Sequence, residues 1–286
     1  MTGIPGFAPD LLAGRTAVVT GGAGAIGAAV ARRMAAVGGR VVIVDTAADR
    51  IEATAQAIGA VGVVADVTTD EGVAAAVDAA GGHADILVNG VGHHLGTSGP
   101  FESSTPDQWR RLIEVNFVSV LRCCHALLPG MIERRWGRII TFSSVEGIRA
   151  APHLAVYAGT KRAVDGFTKS LAVDVARHGV LVNAIAVDKV RAYQTGHYAL
   201  PEEYERLVPT WIPAGGYADP DDVARLVVFL ASDLNTWVVG QSIVADGGTL
   251  SAGGWYRTPR RWTNQPLLVQ YFEEPGVNDE RPPMVR

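Results

Sequence analysis

The chain is poor in several things, and each shortage excludes a class of protein. It has two cysteines in 286 residues, Cys123 and Cys124. Adjacent cysteines make a poor structural disulfide, and two cannot frame a zinc site. They read as small buried residues on a helix, in a reducing cytoplasm. Charged residues are 19% of the chain and net charge is −4, so bulk positive charge is not available for holding a nucleic acid. Aromatics are 7%. Mean hydropathy is +0.17, high for a soluble chain, yet no uninterrupted apolar run approaches the ~18 residues of a membrane span. The first residues, MTGIPGFAPDLLAGR, lack the basic segment and apolar core of a secretory signal. With 48% hydrophobic residues there is ample material for a core, and disorder is excluded for the whole.

What is present is alternation. An apolar run, Thr16–Thr20, is followed by a glycine cluster, Gly21 to Gly27, and an alanine-rich stretch to Val37, which reads as strand, tight turn and helix. A second β-branched run, Val41–Val44, ends at Asp45. The rhythm continues with a helix near 48–58, a strand over 61–65, a helix over 70–80 and a strand over 85–89. Thr105, Pro106 and Gln108 open a long helix that runs, with a break, through Asn116 and Cys124 to Arg134. Strands over 137–143, 180–186 and 238–245 bracket helices over 156–178 and 219–231, the last opened by Asp219-Pro220-Asp221-Asp222. Strands apolar on both faces that alternate with helices indicate a covered parallel sheet. The expected fold is α/β, a doubly wound seven-stranded parallel sheet of Rossmann type. It forms a single domain over residues 1–250 with a C-terminal extension over 251–286. Residues 188–218, with Tyr193, His197, Tyr198, Tyr204 and Trp211, read as a substrate loop or lid. The aromatic tail is expected to dock on the domain or on a neighbouring subunit.

Two constellations carry chemistry. Gly21, Gly24 and Gly27 lie between strand and helix, where glycines admit a pyrophosphate to the backbone and to the helix's free N–H groups. Asp45 ends the next strand, where a carboxylate accepts from adenosine ribose hydroxyls and repels a 2′-phosphate, so NAD is favoured over NADP. Tyr157 and Lys161, four residues apart, share a helical face, and a cation near a phenol favours its ionised form. Ser144 ends a strand thirteen residues before Tyr157, at the carboxyl edge where open sheets bind ligands.

Over roughly residues 14–248 the chain resembles the short-chain dehydrogenase/reductases in their compact form. The resemblance rests on Thr20-Gly21…Gly27, Asp66, Leu87-Val88-Asn89-Gly90-Val91-Gly92, Asn116, Phe142-Ser143-Ser144, Tyr157…Lys161, Val182-Asn183-Ala184 and Asp246-Gly247-Gly248. It implies that Tyr157 is the general acid in reduction and base in oxidation. It implies that Lys161 lowers the phenol's pKa and holds the nicotinamide ribose, that Ser144 donates to the substrate oxygen, and that Asn116 holds a relay water. The cofactor is expected to be NAD, bound by Gly21, Gly24, Ala25, Ile26, Asp45, Asp66, Val67, Asn89, Gly90 and Val190, with Tyr157 and Lys161. A homodimer or homotetramer through helices 108–134 and 156–178 is implied as well. The chain departs from the family pattern at Ala25, at Gly90-Val91, which is expected to loosen that loop, and at Val187-Asp188 and Ala192, beside the nicotinamide.

Near the substrate the chain offers His94, Glu146, His153, Tyr193 and Tyr198. Histidines 93, 94 and 153 do not make a metal set, which needs three converging ligands. Glu146 and Arg149 read as binders of a polar substituent. The aromatic lid points to a hydrophobic or cyclic alcohol or ketone, steroid-, terpenoid- or acyl-like. The expected partner is therefore a small molecule, with no nucleic acid and no membrane span. Two other readings stand beside this one: a non-catalytic NAD-binding sensor or scaffold of the same fold, and enoyl reduction on that scaffold. The Ser144–Tyr157 spacing argues for carbonyl chemistry.

Overall fold

The computed structural model describes residues 7–192, 205–254, 256–257 and 262–263. The chain divides into two compact units, one of residues 1–198 and 218–246, the other of 199–217 and 247–286.

The first unit is built on seven parallel strands: β1 Thr16–Thr20, β2 Arg40–Asp45, β3 Val61–Val64, β4 Ile86–Asn89, β5 Gly137–Ser144, β6 Val180–Val187 and β7 Ser242–Ala245. Their spatial order is β3-β2-β1-β4-β5-β6-β7, so the winding reverses between β1 and β4. β4 and β5 are buried along their whole length, as strands covered on both faces must be. Helices α1 Ala25–Ala36, α2 Ala48–Ile58, α3 Asp70–Ala79, α4 Pro106–Ile113, α5 Ser119–Glu133, α6 Ala155–Val175 and α7 Pro220–Ala231 supply the covers. One core joins α1 and α7 to the sheet through Val30, Met34, Ile43, Ile86, Val227 and Leu230. The other joins α3, α5 and α6 through Val73, Leu87, Cys124, Leu127, Met131 and Val164. Both cysteines are free and buried inside this second core.

The helix starts follow from local sequence. Thr105 and Gln108 form a reciprocal capping box at α4, and Asp219 and Asp222 form another at α7, each with proline at the first helical position. The expected break, whose place the sequence does not give, is a widened π turn over Glu114–Val118, so α4 and α5 run on as one helical stretch. That stretch, Pro106–Glu133, is long and apolar enough to cross a membrane by length and composition, but 44% of its most apolar window is buried inside the protein.

The largest difference in boundaries is at the last strand. The last strand begins at Ser242, not Val238. Gly240 sits at φ +67, which ends the extended run, and the Val238 carbonyl accepts from Asn183 and Asn235 side chains.

In the second unit a 3-10 turn spans Val208–Thr210, a short helix α8 spans Thr249–Ala252, and Tyr256–Arg257 pairs antiparallel with Trp262–Thr263. Trp211 meets Tyr217 edge to face at 6.0 Å. The loop and tail that the sequence sets apart both contribute to this unit. Tyr193, His197, Tyr198 and Tyr204, on which the lid expectation rests, lie outside the described residues.

Candidate active site

A cleft of about 550 Å³ opens along the carboxyl ends of β1, β2, β4, β5 and β6. Its near end is the glycine turn. Gly21 holds φ +65, and a Cβ on Gly27 would stand 2.2 Å from the Gly21 carbonyl oxygen, so helix and turn meet with no room for a side chain. No side chain caps α1, so its leading N–H groups are left for an anionic ligand. Gly21, Gly24, Ala25 and Ile26 line the cleft. So does Asp45, whose carboxylate accepts from the backbone N–H groups of Ala23, Thr46 and Ala47. That fixes the carboxylate at the end of β2, in reach of a sugar diol. Asp66 and Val67 close this end. Burial raises the Asp66 carboxyl, but hydrogen bonds from Thr68 and the charge of Arg111 outweigh it and hold it below the usual carboxylate range. A turn with no room for side chains, uncapped N–H groups and an anchored carboxylate fit a dinucleotide. Glycines, Asp45 and Asp66 would hold it.

Gly90 and Val190 also line the cleft. Gly90 tightens its loop rather than loosening it: a Cβ there would lie 2.4 Å from the Thr20 carbonyl, and its N–H donates to the Thr20 hydroxyl at 3.1 Å. Asn89 stays beneath the cleft wall. Its amide donates to Thr141 at 3.1 Å, tying β4 to β5, and its Oδ1 is buried without a hydrogen-bond partner.

The far end brings together Ser144, Tyr157, Lys161 and Asn116. Ser144, the last residue of β5, accepts the Glu146 N–H at 3.2 Å and lines the cleft together with Tyr157, whose ionised form it favours. One turn along α6, Lys161 is buried. Its ammonium donates to the Phe142 carbonyl at 2.9 Å and sits 5.8 Å from the Tyr157 ring centroid. Burial pushes this amine down to about 8, against the opposing charge of Asp165. A Cβ on Gly92 would stand 2.6 Å from Lys161 Nζ and 3.2 Å from Asn116 Oδ1, so the absence of a side chain there lets lysine and amide approach the same backbone. Asn116, fully buried in the π turn, accepts the His93 N–H and donates to the His93 and Leu112 carbonyls, all at 2.9 Å. Both amide protons are thereby committed.

The phenol is not held low, as the resemblance implies through Lys161; it is shifted upward, and Lys161 is not among the causes of the shift. Burial and the charge of Glu146 push Tyr157 above the ordinary tyrosine value, and Ser144 offsets part of this. The sequence points to the cation four residues on; the carboxylate eleven residues back is what it does not show.

His94 lines the cleft, stacked on His93 at 4.6 Å, and is pushed down by burial and by its neighbour's charge. Glu146 also lines it, but its carboxylate is held by Arg149 at 3.1 Å, so it is not a free binder of a polar substituent. His153 falls elsewhere, beside a small cavity with Phe101, Trp109 and Tyr157.

Residues 21–249 match the family described as "Enoyl-(Acyl carrier protein) reductase". The chain is 36% identical over 249 residues to the 3beta-hydroxysteroid dehydrogenase 1 of Eggerthella lenta, covering 84% of this chain and 95% of that protein. The chain belongs to the short-chain dehydrogenase/reductase family. It is an oxidoreductase of that family, whose members bind nicotinamide cofactors and act on hydroxyl and keto groups. Among solved structures it is similar to a 3-oxoacyl-[acyl-carrier protein] reductase from Brucella melitensis with bound NAD. The TM-score is 0.76, with 30% identity, over 84% of this chain and 92% of that one. It is also similar to the L-sorbose reductase of Gluconobacter frateurii, complexed with NADPH and L-sorbose. There the TM-score is 0.77, with 28% identity, over 85% and 98% of the two chains.

Proposed function

We propose that this short-chain dehydrogenase/reductase transfers hydride between NAD(H) and a secondary alcohol or ketone of hydrophobic or cyclic build, steroid-, terpenoid- or acyl-like. The observation that carries the reading is that Ser144, at the carboxyl edge of β5, and Tyr157, on α6, line one cleft with the buried Lys161 ammonium 5.8 Å from the Tyr157 ring. Two hydroxyls that converge can both bind one substrate oxygen, which suits carbonyl and carbinol chemistry better than reduction of a C=C bond.

When bound, the nicotinamide supplies or accepts the hydride. In reduction Tyr157 gives its proton to the carbonyl oxygen while Ser144 donates a hydrogen bond to the same atom. The Ser144 Oγ already accepts from Glu146, which leaves its own proton for that donation. In oxidation Tyr157 takes the proton back. Lys161 opposes the upward push on the phenol by placing positive charge near its face. Asn116 braces the Gly92–His93 backbone, and since both its amide protons are committed, it can hold the water that relays protons to Lys161 only by accepting from it through an oxygen. Asp45 makes NAD the cofactor, because a 2′-phosphate would meet its carboxylate. His94 is placed on the substrate side. The protein works in the cytoplasm as a homo-oligomer through α5 and α6, where Val173 is 80% exposed.

The test is a panel of 3-hydroxysteroids, cyclic terpenoid alcohols and 3-hydroxyacyl thioesters, each offered with NAD and with NADP. Turnover of at least one with NAD, and ten times more slowly with NADP, is the expected result. NAD binding without turnover of any alcohol or ketone in the panel would replace this reading with that of a sensor.

A further inference from the structure

The segment after β6 departs from the family pattern at Asp188, and the structure gives that departure a use. Asp188 follows Val187, the residue in register with Ser144, so it stands beside the Ser144 loop. Its side chain is only 2% exposed. Arg149, five residues beyond Ser144, reaches both of its carboxylate oxygens at 3.3 and 3.2 Å. The same guanidinium binds the two oxygens of Glu146 at 3.4 and 3.1 Å. Lys189 adds a second cation 3.9 Å from Asp188. Glu146 in turn donates its backbone N–H to Ser144 Oγ, and Ser144 lines the same cleft as Tyr157. One continuous chain of contacts therefore runs from the end of β6 to Ser144, in the cleft that Tyr157 also lines.

We propose that Arg149 is a positioning residue: bound to Glu146 on one loop and Asp188 on the next, it compensates the carboxylate charge in the cleft that Tyr157 lines and fixes the loop that orients Ser144. This rests on reading Tyr157 as the proton carrier. Two carboxylates brought to one cleft wall repel each other unless a cation lies between them, and a planar guanidinium serves both at once. Glu146 already acts on the phenol in the upward direction. Without Arg149 that charge is uncompensated, and its carboxylate is free to turn toward the phenol. Among the described residues, the other titratable or charged groups around Tyr157 are His93 and His94 from the loop after β4, Arg111 from α4, His153 and Lys161 from α6 and its approach, and Lys189 after β6.

The experiment compares Arg149→Met, Arg149→Lys, Glu146→Gln and the double variant Glu146→Gln/Arg149→Met with the parent, at saturating NAD. The readout is the phenolate absorbance at a fixed pH of about 10, taken as the difference from the same protein carrying Tyr157→Phe. It needs no substrate. Arg149→Met is expected to lower the ionised fraction roughly tenfold, the effect of one charge a few ångströms away in a partly buried site. Glu146→Gln is expected to raise it severalfold, Arg149→Lys to stay near the parent, and the double variant to recover most of the loss. An ionised fraction within twofold of the parent in Arg149→Met, or movement of Arg149→Met and Glu146→Gln in the same direction, would overturn the proposal. Should Arg149→Met not fold, Glu146→Gln decides alone, and an unchanged fraction there overturns it. Failure of the proton-carrier reading looks different: Tyr157→Phe keeps its turnover while the ionisation shifts still appear.

Discussion

Lys161 makes a prediction that can be worked in numbers. The side chain is 3% exposed, and burial lowers its amine from 10.5 to about 8. A base whose pKa falls on folding costs stability wherever the folded form is protonated. The cost is full below about 8, shrinks as pH rises, and is gone above 10.5. At 1.36 kcal/mol per pH unit the full cost is about 3 kcal/mol, of which roughly 2 kcal/mol is relieved between about pH 7 and about pH 9.5. Lys161→Met keeps the volume and removes the titration. Urea unfolding of parent and variant at the two pH values gives a double difference in which groups common to both proteins cancel. The parent should gain roughly 2 kcal/mol on the variant across this interval. Two proteins whose stabilities change with pH identically, to within about 0.5 kcal/mol, would refute the placement of a strained buried ammonium at this site.

Two other outcomes follow from the same geometry. Asp45→Ser removes the charge that opposes a 2′-phosphate and a charged acceptor for the ribose. Calorimetry should show NAD binding weakened about tenfold to a hundredfold, as loss of a hydrogen bond to a charged group predicts, with NADP binding strengthened. Cys123 and Cys124 are pushed up to about 12 by burial, so neither is a thiolate at neutral pH. A thiol reagent should label both only after denaturation, and fast labelling of the native protein would show the second core to be open.

Much of this was legible in the sequence because it is local. The Thr105 and Asp219 caps, the strand-turn-helix around Gly21 and the shared face of Tyr157 and Lys161 are all set by residues within a few positions of one another. The π turn showed only as a break, since nothing in the residue types distinguishes a widened turn from an interrupted helix. Contacts between distant segments were not legible. Gly90 reads as a loosened loop until β4 is placed against Thr20, seventy residues back. Asn89 reads as a support of the central sheet near the cofactor, but the partner through which it ties β4 to β5, Thr141, lies fifty-two residues on. Glu146 and Arg149 read as substrate binders until β6 brings Asp188 thirty-nine residues on. Side-chain pairing across strand ends has no periodic signature, so chemistry alone marks such residues and only the sheet's register pairs them.

The central claim is that one phenol carries the proton while hydride moves. Its most direct test is Tyr157→Phe, assayed on whichever panel alcohol the parent oxidises, with NAD affinity measured alongside. NAD affinity within about threefold of the parent, with turnover down about a hundredfold or more, is the result this account requires. Turnover within about tenfold of the parent, at unchanged NAD affinity, would contradict it.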